Sequence, residues 1–247
     1  MSKKNARWRK LDNAAKLYSA ASNKKDTRVF RFYCELKEEV NPKALQEALN
    51  QTIETFPTFL MVLRKGFFWH YLEPCNLRPI VKEEYKEPCS RLYIRDKKTL
   101  LFEVTYYKKR INFEVFHVLT DGTGATEFLK ELVKNYLYLV HKEEGLEQIT
   151  LLPEDMTVQD QEDDSFLKYY SKNQKRPKKR KLNAFQIRRK KKDGNHLHVH
   201  ESVVSVQAIL KRSRELGVSM TIFLTALFMM AINEEMSKMQ KKKPVVL

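Results

Sequence analysis

Cysteine is scarce: three residues, Cys34, Cys75 and Cys89, in a chain of 247. They form no CxxC pair and leave an odd one over, which excludes a disulfide framework and a cysteine-based zinc centre and suits a reducing cytoplasm. None has a helix-start or histidine neighbour that would mark a nucleophile. A secretory leader is also missing, because MSKKNARWRK is basic and polar with no apolar run behind it. The longest greasy stretch, Val218 to Ile232, is broken by Ser219, Thr221 and Thr225. It falls short of the roughly 20 residues a membrane-spanning helix needs, so no transmembrane segment is expected and a buried helix is. No internal repeat is present.

What the chain does have is aromatic weight and positive charge. Fourteen Phe and eleven Tyr exclude global disorder. The net charge of +16 raises nucleic acid as a partner. The densest basic cluster, however, lies between Lys168 and Lys192, in a segment of little apolar periodicity, just after the acidic run Asp160, Glu162, Asp163 and Asp164. Opposed charge blocks of this kind read as a solvated linker. No zinc-finger, helix-turn-helix or RNA-recognition signature accompanies them, so nucleic acid is not expected as a partner.

The pattern predicts a strand at Val29 to Leu36, then a helix announced by Asn41-Pro42, with Leu45, Ala48, Leu49, Ile53 and Phe56 at helical spacing before Pro57 stops it. Two strands, Phe59 to Leu63 and Phe67 to Leu72, are expected around Arg64-Lys65-Gly66, followed by an irregular stretch from Glu73 to Pro88. Leu100 to Tyr107 and Ile111 to Val118 read as a hairpin around Lys108-Lys109-Arg110. A helix follows, its buried stripe predicted as Phe128, Leu129, Leu132, Tyr136, Leu137 and Val140. Beyond the charged crossover, His196 to Val204 reads as a strand. Ser205 caps a helix that ends at Gly217, an apolar helix spans about Met220 to Met239, and Pro244 to Leu247 opens a strand that reads as cut short.

Ile111, Phe113, Val115 and His117 share one face of their strand, because strand side chains alternate. His117 opens HVLTDG, a histidine followed four residues later by Asp121-Gly122 at a strand-to-loop-to-helix junction. An imidazole desolvated at the end of a buried strand is favoured in its neutral form, able to take a proton from a hydroxyl as the oxygen attacks a thioester. Asp121 can fix the loop through hydrogen bonds or an ion pair, and Gly122 leaves space for a substrate. An ordinary core histidine before an Asp-Gly turn is the competing interpretation of these six residues. Two further features invite chemistry. His196, His198 and His200 alternate as metal ligands would, yet no carboxylate or cysteine closes the set, and no metal is expected. Lys178, Lys179, Arg180 and Lys181 could attract the phosphates of a coenzyme, or form a solvated loop.

HVLTDGTGATEFLKELV resembles the signature of the chloramphenicol-acetyltransferase-like superfamily, which includes alcohol acetyltransferases, mycobacterial polyketide-associated acyltransferases, plant BAHD enzymes and peptide-synthetase condensation domains. The order of elements is similar too: Arg7 to Tyr18, the strand at Val29, NPKALQEALNQTIETFP, FFWHYLEP, then the histidine strand. The resemblance is nearest to bacterial alcohol acetyltransferases and covers the first half of a two-domain member. It implies an α/β fold, a mixed sheet flanked by helices, with a domain over 1–153, a charged crossover over 154–194 and the start of a second domain over 195–247. It implies an acyl-CoA-dependent transfer, acetyl-CoA first, to an alcohol or amine, with no permanently bound cofactor. His117 would be the base, Asp121 would hold the loop through an arginine, and Gly122 would open the mouth of a tunnel. The far wall of that tunnel and the oxyanion donors would come from the missing C-terminal half, so a chain of this extent can be inactive alone. A condensation-like domain using a carrier-bound acyl group, and a non-catalytic module keeping the fold, are the alternatives.

Overall fold

Alternating strands and capped helices build two sheets with helices against them. The computed structural model describes residues 8–23, 26–67, 69–95, 97–142, 183–187 and 199–246. The chain divides into two units, Met1–Tyr170 and Ser171–Leu247. In the first, β1 (Arg9–Lys10), α1 (Asn13–Ala21), β2 (Val29–Glu35), α2 (Pro42–Thr55), β3 (Met61–Lys65), β4 (His70–Pro74), β5 (Lys82–Glu83), β6 (Phe102–Tyr107), β7 (Arg110–Phe116) and α3 (Gly122–Val140) follow in order. A small antiparallel sheet runs β1-β4-β3. A larger one runs β2-β7-β6-β5 and is mixed, since β5 joins β6 in parallel and the other pairs are antiparallel. The α/β architecture, a mixed sheet flanked by helices, is the one the sequence indicates.

The helices begin where side chains can satisfy free amides. Asn41 accepts from the Lys43 and Ala44 amides at 3.0 and 3.2 Å, and Pro42 occupies the first turn, where its missing N–H costs nothing. α2 then buries Leu45, Ala48, Leu49 and Ile53 against α3 and the larger sheet. Ile111, Phe113 and Val115 of β7, Val104 and Phe102 of β6, and Phe128 and Leu132 of α3 complete this first core. A second core joins Leu11, Ala15, Leu63, Leu72, Leu101, Phe116 and Val118.

Several local expectations change. The β3–β4 turn sits at 66–69, not 64–66, because Arg64 and Lys65 stay paired with Tyr71 and His70 and the Gly66 amide donates to the Trp69 carbonyl at 2.7 Å. Only a residue without a Cβ fits there comfortably, since a Cβ on Gly66 would lie 3.0 Å from that carbonyl. The stretch after Pro74 is not wholly irregular, because it contributes β5. In α3 Phe128, Leu132 and Tyr136 are buried as expected, but the edge of the buried face is turned. Glu131 and Asn135 are buried, while Leu137 and Val140 are exposed. The difference follows from a polar contact: Asn135 Nδ2 donates to Thr52 Oγ1 at 3.1 Å.

The second unit contains α4 (Val206–Glu215) and α5 (Met220–Glu234), capped by Ser205 and Ser219. Gly217 ends α4 with a φ of 67°, a conformation that suits glycine. α5 is apolar on every side, but its Ile222, Phe228 and Met230 are exposed and only Ile232 is buried. The expected burial needs partners all round, whereas within this unit α5 packs chiefly on α4. Residues 199–205 and 244–246 form no strand, lacking a neighbouring strand to pair with among the described residues; His196 and His198 lie outside them. Among the described residues no single helix is long and apolar enough to cross a membrane.

Candidate active site

β7 ends one residue before His117, but the ladder does not stop there. The His117 amide still donates to the Arg28 carbonyl at 2.9 Å, so β2 holds the histidine backbone as if it were the next rung. Its side chain keeps the face of Phe113 and Val115, because alternation carries through the pair Val29 and Phe116. There it meets two aromatic rings. Tyr18 of α1 stacks on the imidazole, with centroids 4.0 Å apart and planes within 16°. Phe30 of β2 packs at 4.7 Å and 52°. Phe30 borders the first core and Tyr18 the second, so the histidine lies where the two meet.

The ring is half-buried, and its Nδ1 is buried without a hydrogen-bond partner among the described residues. A buried polar atom left so costs stability, and native structures mostly pair such atoms with protein, water or ligand. An imidazole is able to exchange a proton with a molecule brought to it; this one is stacked on a tyrosine, pinned through its backbone and partly open.

The Leu119 amide closes a turn on the Phe116 carbonyl at 2.8 Å, and Asp121 then starts α3. Its carboxylate accepts from the Gly124 amide at 2.9 Å, so Asp121 is an exposed helix cap. No arginine pairs with it among the described residues. Gly122 occupies the first helical position, and a Cβ there would touch only Phe32, at an ordinary 4.0 Å. The tighter glycine is Gly124, where a Cβ would require the Thr120 hydroxyl to turn away.

The sequence placed His117, Asp121 and Gly122 on one junction, and the structure has them there. It adds Tyr18, Phe30 and the Arg28 carbonyl. Tyr18 was visible only as the end of the opening segment and Phe30 as part of a strand; the tertiary packing ties both to the histidine.

Other candidates stand apart. Burial pushes the thiols of Cys34, Cys75 and Cys89 up, away from the reactive thiolate, and all three are free. Among the described residues no three His, Cys, Asp or Glu side chains gather as metal ligands do. Of the histidine triplet only His200 is described, and it is exposed. Lys178 to Lys181 lie outside the described residues.

No family model and no curated protein matches the sequence. Solved structures do. The starter condensation domain of the rhizomide synthetase RzmA is 13% identical over 59% of this chain and 40% of its own, with a TM-score of 0.47. The first condensation domain of the calcium-dependent antibiotic synthetase, in complex with substrate analogue 2a, gives 14%, 60%, 40% and 0.45. Polyketide synthase associated protein 5 from Mycobacterium tuberculosis gives 16%, 59%, 36% and 0.43. A variant of the rhizomide domain is also solved in complex with C8-CoA. The chain thus spans about two fifths of the length of these structures.

Proposed function

We propose that this chain is the histidine-bearing half of an acyl-CoA-dependent acyltransferase working in the cytoplasm, with His117 as its general base. The observation that carries the reading is the state of that ring: clamped by Tyr18 and Phe30 and still partly open. The HVLTDG sequence around it gives the chemistry its direction.

In this reading an alcohol, or an amine, approaches the imidazole and gives up its proton as the oxygen or nitrogen attacks the thioester carbonyl. The tetrahedral intermediate collapses with loss of the coenzyme A thiolate, which takes the proton from the imidazolium. The ester or amide leaves, and the base is restored. No acyl-enzyme forms. Asp121 works at one remove: by capping α3 it fixes the loop that follows the base, and so the path from β7 into the helix. The donors that hold the oxyanion, and the tunnel's far wall, belong to the second domain that the resemblance implies.

The test is release of free thiol from acetyl-CoA over a panel of alcohols and amines, using the longest natural product that contains this chain. His117→Ala should lower the rate by about 10²–10⁴-fold with the melting temperature kept. Equal rates in the two forms would remove His117 as the base. Thiol release from an acyl carrier protein but not from coenzyme A would move the donor to the condensation-like alternative. No release from either donor by the unaltered protein would leave a non-catalytic module.

A further inference from the structure

Besides Lys108 in the hairpin turn, two residues hold backbones that glycine usually supplies: Arg28, opposite the histidine, with a φ of 54°, and Cys89 with 57°. Such conformations are uncommon for other side chains and persist where the surroundings over-determine them. Here they do. Asp26 Oδ1 accepts from the Arg28 amide at 3.3 Å while its Oδ2 pairs with the Arg28 guanidinium at 2.9 Å. The Asn23 amide donates to the Asp26 carbonyl at 2.8 Å, and the Asp26 amide donates back to Asn23 Oδ1 at 3.0 Å. The Ser22 hydroxyl donates to the Thr27 carbonyl at 3.1 Å. Thr27 Oγ1 in turn donates to the Cys89 carbonyl at 2.7 Å. The Cys89 amide reaches Glu114 Oε1 at 2.7 Å, the buried carboxylate that Arg31 holds. The two left-handed residues are therefore joined through Thr27 and anchored to the sheet.

The consequence falls on His117. Regular pairing of β2 with β7 ends at Val29 and Phe116. Arg28 and His117 come next, as a pair in which each residue would donate to the other's carbonyl. Half of that exchange is made. The His117 amide donates to Arg28, whereas the Arg28 amide has turned to Asp26. The chain is released from the sheet at the histidine itself.

We propose that Arg28 is a positioning residue for His117. Its left-handed backbone, tied down by Asp26 and Thr27, sets the point at which β7 lets the chain go, and with it the attitude of the imidazole between Tyr18 and Phe30. The proposal rests on the reading of His117 as the base, and the test separates the two.

Four substitutions remove the guanidinium alike but differ in the backbone they accept. Arg28→Gly and Arg28→Asn tolerate a left-handed φ; Arg28→Ala and Arg28→Val resist it. The Ala and Val forms should lose up to about 10²-fold in kcat with KM near the unaltered value, while Gly and Asn keep kcat. In parallel, the NMR resonances of the His117 ring, which feel the ring current of Tyr18, should move in the Ala and Val forms and stay in the other two. If Val fails to fold, the comparison of Ala with Asn carries the same information. Equal loss in all four would assign the effect to the guanidinium and overturn the backbone role; unmoved resonances in Ala would overturn it as well. Should the unaltered protein transfer no acyl group, the resonance series still decides Arg28, and the failure belongs to the acyltransferase reading alone.

Discussion

The centre of the larger sheet is buried on both faces, by opposite chemistry. Toward α2 and α3 it presents Ile111, Phe113, Val115, Val104 and Phe102, an apolar layer that His117 and Tyr106 border. The reverse face presents Asn112, Glu114 and Thr105, buried as deeply, together with Glu103. Arg31 stands against Glu114 at 2.8 Å and Glu84 at 2.6 Å, and Lys86 pairs with Glu103. Burial works to lower the Arg31 pKa, but hydrogen bonding to Glu84 and the charge of Glu114 more than offset it, so the guanidinium stays firmly charged. One face is held by volume, the other by partners brought from far along the chain. A face held by volume fails when volume is lost; a face held by partners fails when one partner is left alone.

Phe113→Ala should cost about 3–5 kcal/mol, read from urea unfolding, because it empties the centre of the apolar layer. Arg31→Met should cost a similar ~3–5 kcal/mol, since it strands the Glu114 carboxylate without its cation. The faces part company in the second change. Adding Glu114→Met to Arg31→Met should return part of the loss, with a coupling of about 0.5–3 kcal/mol. Strict additivity in that cycle would mean the polar face is not held by pairing. A smaller effect is expected at Asp121, which touches neither face: Asp121→Ala removes one cap bond and should cost about 0.5–2 kcal/mol.

The smallest effect lies on the small sheet. Burial, then the charges of Lys65 and Arg95, hold the His70 pKa below its ordinary 6.5. The unfolded chain therefore binds that proton more readily, and stability should fall as pH drops through about 6.5, levelling off below the folded pKa. Melting temperatures of His70→Gln should lack that part of the slope. Parallel curves for the two proteins would contradict the assignment.

Much of the apolar face was legible in the sequence. Asn41-Pro42 announced α2, its spacing gave the buried side, and alternation in β7 put His117 on the same face as Phe113. The polar face was not. Arg31 and Glu114 are 83 residues apart, and nothing local to either says that it is buried. The turned edge of α3 was hidden for the same reason: Leu137 and Val140 look more buriable than Glu131 and Asn135 until Thr52 is known to stand opposite. At the candidate site the histidine and its cap followed from a local motif. The Arg28 backbone did not, because an arginine carries no signal for a left-handed φ.

The hairpin turn at Lys108 and Lys109 bears on the order in which the molecule assembles. β6 meets β7 across that tight turn, while β2 must reach β7 from the far end of a long loop. Chain entropy favours closing the short loop first. Tyr18, Phe30 and the Arg28 carbonyl all arrive with β2 or just ahead of it, so the imidazole exists on a formed strand before anything holds it. On that order its surroundings are gathered after the hairpin, and weakening the amino-terminal segment should loosen them before it loosens β6 from β7.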